Sequence, residues 1–172
     1  MTVIEFGAPW SAGVRTASML STAILALGML AAILAPPLRL TSPLGLLLIG
    51  LPLLILVIAL IYRVRGYTLT EDAISVQRGV GEIRLPLTGL RSVTGDVDAM
   101  RGSLRVFGNG GFFAITGRYW NRKLGWYRAF ATDPSRAVVL RYASRTIVIT
   151  PHDPQHFIMR ARTFLKVADF PK

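Results

Sequence analysis

The sequence predicts an α+β membrane protein: an N-terminal hairpin of two transmembrane helices, then a small antiparallel β-barrel or sandwich capped by a C-terminal α-helix. Three observations carry this. Two long apolar runs, Ala17–Ala35 and Leu44–Tyr62, flank a proline-bearing break, and Arg39 is the only formal charge between Thr16 and Arg63. Past Arg65-Gly66 the pattern changes to short β-rich pieces punctuated by turn residues. The chain then runs into one amphipathic segment after Asp153-Pro154. The divisions expected are residues 1–16 as a short lead-in, 17–62 as the helical hairpin (17–35 and 44–62), and 63–172 as the folded domain.

At a rise of about 1.5 Å per residue each apolar run gives a helix of roughly 28 Å, close to the ~30 Å hydrocarbon thickness of a bilayer. A helix buried in a soluble core usually keeps a polar stripe at the 3.6-residue period, and these runs have almost none. Pro36-Pro37 cannot continue the first helix, and Thr41, Ser42 and Pro43 favour a turn before the second. Pro52 lies inside the second run, where neighbouring groups can re-satisfy the freed backbone, so a kink near residues 49–51 is expected rather than a break. Ser18, Ser21, Ala23 and Ala26 allow the two helices to approach closely. No small-x-small cleavage site closes the first run at Ala32–Ala35, so it is read as retained. Arg15, Arg63 and Arg65 on the outer flanks outnumber Arg39 in the hairpin, which places both termini in the cytoplasm by the positive-inside rule. The first fourteen residues show no sustained period and read as an interfacial lead-in, with Trp10 at headgroup level.

The 172-residue chain is 52% hydrophobic yet carries a formal net charge of +11. Only Arg15 and Arg39 of the 20 Lys/Arg, and only Glu5 of the 9 acidic residues, precede Tyr62, so the excess charge sits on the domain. A basic domain tethered beside an anionic leaflet is attracted to it, by roughly 1 kcal/mol per near-surface Lys or Arg within a Debye length. Nucleic acid is the other partner such charge suggests, but no RNP-like motif is present and nucleic acid is set aside. The absence of cysteine excludes disulfides and thiolate metal sites.

In the domain, Tyr67–Thr70 and Ala73–Gln77 flank a Glu71-Asp72 turn, and Glu82–Leu87 alternates with Ile83, Leu85 and Leu87 on one face. Leu90 and Val93 suggest a further strand, closed by Gly95-Asp96. Gly108, Gly110 and Gly111 around Asn109 supply the positive-φ positions that a tight turn or bulge needs. Phe112–Thr116 and Leu124–Thr132 read as strands joined through Gly117–Lys123, and Ala137–Tyr142 and Thr146–Thr150 as a further pair, the whole forming an antiparallel meander. Asp153 reads as an N-cap and Pro154 as the first helical residue, with Phe157, Ile158, Ala161, Phe164, Leu165 and Ala168 at helical spacing, and Arg160, Arg162, Thr163 and Lys166 on the other side.

Six or seven short strands ending in one amphipathic helix resemble the pleckstrin-homology (PH) arrangement. The chain resembles bacterial PH-domain proteins in which two membrane spans precede a PH-like domain. The residues that carry the likeness are Tyr67-Thr68-Leu69, Ile83–Leu87 with Val93, Arg105–Phe113, Gly117, Gly125 and Thr146–Pro154. The resemblance implies a PH-like fold tethered to a bacterial inner membrane, and no particular reaction.

Candidate chemistry in the chain is sparse. Pro151 and Asp153-Pro154 place His152 ahead of the helix, so His152 and His156 lack the i,i+4 geometry of a zinc-binding helix. Asp96 and Asp98 suit turn chemistry, and no nucleophile–base arrangement is identifiable. The Gly108–Gly111 cluster lacks the Lys-Ser/Thr of a phosphate loop and precedes a strand rather than a helix. The aromatic and basic run that includes Arg118, Trp120, Arg122, Lys123, Trp126 and Arg128 has three readings: a hairpin packing half its rings inward, a surface for anionic lipid headgroups, or a protein contact. The expected function is a non-catalytic, membrane-anchored PH-like interaction module without a cofactor. Its partners are the lipid bilayer and either anionic headgroups or a membrane or cytoplasmic protein, and self-association is left open. The alternative is an accessory subunit or an enzyme with a site between domain and membrane.

Overall fold

The computed structural model describes residues 2–34 and 42–168, with side chains through residue 165. The elements run β1 (Ile4–Gly7), α1 (Ala12–Leu34), α2 (Pro43–Tyr62), β2 (Val64–Leu69), β3 (Ala73–Arg78), β4 (Glu82–Pro86), β5 (Leu90–Gly95), β6 (Leu104–Gly110), β7 (Ile115–Asn121), β8 (Gly125–Ala131), β9 (Val138–Tyr142), β10 (Thr146–Ile149) and α3 (Pro154–Ala168). Both N-terminal helices are long and apolar enough to cross a membrane, and little of either is buried against protein. Ser11 Oγ accepts the Val14 amide at 3.2 Å and starts α1 earlier than its apolar run, while Ser42 Oγ accepts the Gly45 amide at 3.1 Å and Pro43 takes the first position of α2. Helix α2 continues through Pro52. The residues expected to turn between the helices at 36–41, the side chains of Lys166 and Ala168, and the end of the chain lie outside the described residues.

The domain is two sheets, not a closed barrel. One has the order β1-β2-β3-β4 and the other β5-β9-β10-β8-β7-β6. The inner faces and α3 share one core, in which Tyr67, Leu69, Ile74, Val138, Leu140, Ile147, Ile149 and Phe157 are fully buried. Ile83, Leu85 and Leu87 do point at this core, as their alternation predicts. Asp153 caps α3, its carboxylate accepting the His156 amide at 3.0 Å, and Phe157, Ile158 and Ala161 bury the apolar stripe. Tyr119, Tyr127, Ala129, Val139 and Val148 face the other way and form a second, smaller cluster with Ala99 and Leu124.

Three expectations are corrected. The opening segment contributes a strand rather than only a lead-in: β1 pairs antiparallel with β2, Ile4 opposite Leu69 and Gly7 opposite Gly66. The sheet is not a pure meander, because β10 inserts between β9 and β8 and pairs parallel with β8. The glycines of Gly108–Gly117 do not merely link strands. Gly108 and Gly117 are directly paired inside the β6–β7 ladder, at φ +122° and +134°, and the turn falls at residues 111–114 instead.

Tyr67 is the polar hub of the core. Its hydroxyl donates to the Phe130 carbonyl at 2.7 Å and accepts the Thr150 amide at 3.1 Å, and burial pushes its pKa up to about 12. Tyr67→Phe leaves a buried carbonyl and amide unpaired, and is expected to cost about 1–3 kcal/mol, read as a lower unfolding midpoint in neutral detergent. An unchanged midpoint contradicts the hub role. The folded-state pKa lies above the unfolded one, near 10, so this residue's contribution is complete below pH 10 and is lost as pH rises through about 12.

Candidate functional site

Sheet β5–β6 has two more strands than its partner, so its β8-β7-β6 end overhangs the sandwich. Ile147 sits opposite Arg128, and Arg118 lies between Arg128 and Phe107. Directly opposed residues share a face of the sheet, so the inner face runs outward from buried Ile147 to exposed Arg128, Arg118 and Phe107. The edge strand β4 and the β9–β10 turn close the other sides.

The result is an open cleft of about 450 Å³ lined by Arg84, Arg118, Arg128, Arg145 and Trp126 over an apolar floor that includes Ile147 and Phe130. Among the described residues, no carboxylate lines it. Arg84 is paired with Asp72, whereas Arg118, Arg128 and Arg145 form no ion pair or side-chain hydrogen bond among the described residues. Two of these guanidinium groups lie over rings, Arg128 over Phe130 at 4.8 Å and Arg145 over Tyr142 at 4.9 Å. Stacking fixes the group while leaving its N–H edge free. Burial first, then the charges of Arg118, Arg78 and Arg145, push the Arg128 guanidinium below its ordinary pKa. This is the electrostatic state of a site that an anion would relieve. Arg78 in turn lies over the ring of Tyr62, 5.3 Å away, which ties the cationic group to the end of α2.

The structure divides the residues singled out from sequence. Arg118, Trp126 and Arg128 meet in the cleft, with Trp126 63% exposed. Trp120 is half-buried opposite Trp126 in the β7–β8 ladder and lies outside the cleft lining. Arg122 and Lys123 sit at the β7–β8 turn, and Lys123 Nζ is 2.6 Å from Asp96. That turn is a full strand, roughly 20 Å, from the opposite β6–β7 turn. Arg84 and Arg145 were missed, because nothing local marks them: one comes from the other sheet and one from a turn. The buried Tyr119 and Tyr127 stack at 5.8 Å on the other face of the hairpin, in the smaller cluster.

Residues 65–163 match the sequence profile of the family described as bacterial PH domain, more than half of the chain. The chain belongs to the bacterial PH domain family. Comparison with curated proteins and with solved structures found no match. The bacterial PH domain match begins inside β2 and ends inside α3, so it contains every residue of the cationic cleft, while β1 and the two apolar helices precede it. Family membership supports an interaction module associated with a membrane.

Proposed function

We propose that the chain is a membrane-anchored, non-catalytic module whose cationic cleft binds anionic lipid headgroups of the leaflet beside it. The observation that supports this best is the group Arg118, Arg128 and Arg145: three arginines around one cleft with no carboxylate partner among the described residues, two of them lying over aromatic rings. A guanidinium fork matches a phosphate in two parallel hydrogen bonds, and Trp126 beside it suits the headgroup region. On this reading residues 17–62 anchor the chain as two spans in a bacterial inner membrane, both termini cytoplasmic, and residues 63–172 with β1 form the module. Tethering makes modest intrinsic affinity sufficient, since the headgroups are held at high local concentration. Arg118, Trp126 and Arg128 are the central contacts, joined by Arg84 and Arg145, whereas Trp120, Arg122 and Lys123 take no part in the cleft.

The test uses the full-length chain in neutral detergent with fluorescent short-chain phosphatidic acid, and phosphatidylcholine as control. Changing Arg118, Arg128 and Arg145 together to Gln is expected to weaken phosphatidic acid binding about tenfold or more, while changing Arg122 and Lys123 to Gln leaves it unaltered. Equal effects from both sets, or none from the first, reject the cleft as the site. Inorganic phosphate and a soluble acidic peptide serve as competitors, and a peptide that binds where phosphatidic acid does not identifies a protein ligand instead.

A further inference from the structure

The β6–β7 turn is set against the apolar helices, well along them. Ser18, in the second turn of α1, is buried, and its hydroxyl accepts the Phe113 amide at 2.8 Å. On the other helix, Ile55, Ile58 and Tyr62 line one apolar recess of about 500 Å³ together with Phe107, Asn109 and Phe112. Helix α2 is 20 residues long and uncharged throughout. At 1.5 Å per residue that is about 30 Å, the whole hydrocarbon thickness, so α2 needs all of its length to cross. Ile58 and Ile55 then lie about 6 and 10 Å inward from Tyr62, and whatever touches them is at acyl depth.

The residues that the turn presents outward suit that depth. Phe107 is 77% exposed and Val106 55%, an apolar surface continuous with the recess on α2. Phe112 stacks on Phe113 at 4.6 Å, and Trp10 lies 5.7 Å from Phe113, an aromatic group of the kind that gathers at a bilayer interface. At the tip of the turn, polar backbone groups of residues 109–112 are paired within the protein. Asn109 Oδ1 accepts the amides of Gly111 at 3.1 Å and Phe112 at 2.9 Å, its amide nitrogen donates to the Phe112 carbonyl, and the Tyr119 hydroxyl donates to the Asn109 carbonyl at 2.7 Å. Internal pairing of this kind is required where water is scarce.

We infer that the β6–β7 hairpin end, residues Val106–Phe113, is a third membrane-inserted element, dipping into the acyl region of the leaflet that α1 and α2 enter. This rests on the reading of the two helices as spans. Its contacts are acyl chains at Val106 and Phe107, with the long side chain of Arg118, opposite Phe107 in the ladder, extending to the phosphates. Phe107 is the ladder partner of Arg118, so the inserted end would also hold the adjoining cationic cleft against the headgroups.

The chain has no cysteine, so single thiols can be introduced without background. Full-length protein carrying a fluorescent label at Phe107→Cys, Val106→Cys, Ile58→Cys or Arg122→Cys is reconstituted in phosphatidylcholine/phosphatidylglycerol nanodiscs, and quenching by acyl-chain brominated lipid is compared with quenching by aqueous iodide. The expected result is that labels at 106 and 107 are quenched by bromolipid comparably to the label at 58 and several-fold more than the label at 122. Labels at 106 and 107 that follow 122 while 58 is quenched overturn the inserted hairpin and leave the spans standing. A label at 58 that bromolipid does not quench overturns the spans themselves and the inference with them. Shielding of 106 and 107 from both quenchers, with spin labels there coupled between copies, assigns the surface to self-association and overturns it as well.

Discussion

Phe6→Ala in the full-length chain is expected to destabilise the domain by about 3–5 kcal/mol, a loss typical of emptying a buried aromatic site. Phe6 is 6% exposed and packs edge-on against Phe157 at 5.1 Å and His156 at 5.5 Å, filling the space between the first sheet and α3. Its strand is tied at both ends, since β1 pairs with β2 and the Gly7 carbonyl accepts the His152 amide at 2.9 Å. The same argument predicts that a fragment beginning at Arg63 folds poorly, because it loses Phe6 together with the whole β1 ladder and leaves β2 as a bare edge. Thermal unfolding in neutral detergent reads both. A Phe6→Ala midpoint within a degree or two of the parent would contradict the packing role of β1.

Gly108→Ala is expected to break the β6–β7 hairpin, at about 3 kcal/mol or more. A Cβ on Gly108 would stand 2.2 Å from the Thr116 carbonyl oxygen and 2.7 Å from Gly117 Cα, and one on Gly117 would stand 2.1 Å from the Phe107 carbonyl oxygen. Both clashes are with backbone, which no rotamer change can relieve, and both positions hold φ values that side chains avoid. The expected sign is fast amide exchange across Ile115–Asn121 with the α3 core still protected. Protection retained in β7 would show that the ladder accommodates the methyl group. The predicted loss also removes the surface that would enter the leaflet and loosens Arg118 on β7, so Gly108→Ala should weaken anionic-vesicle binding.

Some of this architecture was legible because its signals are local. Uncharged runs of helix-spanning length, the alternation of Ile83, Leu85 and Leu87, and the Asp153-Pro154 start of α3 each need only neighbouring residues. What escaped is what depends on distant partners. Residues 4–7 have no period of their own and become a strand only by pairing with β2, some sixty residues on. Gly117 reads as a strand breaker, yet it is a ladder residue because Gly108 opposite lets the two backbones approach. The cleft was half visible for the same reason: Arg118, Trp126 and Arg128 share one hairpin, while Arg84 and Arg145 are brought to them only by the stacking of the sheets and the parallel β8–β10 pairing. Lys123 looked equivalent to its neighbours, but it sits at the β7–β8 turn and pairs with Asp96.

The central claim, that cleft arginines touch lipid phosphates, is tested most directly by solid-state NMR of the full-length chain in phosphatidylglycerol-containing bilayers. Dephasing of arginine ¹³Cζ signals by lipid ³¹P reads guanidinium–phosphate proximity. The account predicts clear dephasing that falls sharply when Arg118, Arg128 and Arg145 are all changed to Gln, and dephasing that persists undiminished in that variant would contradict it.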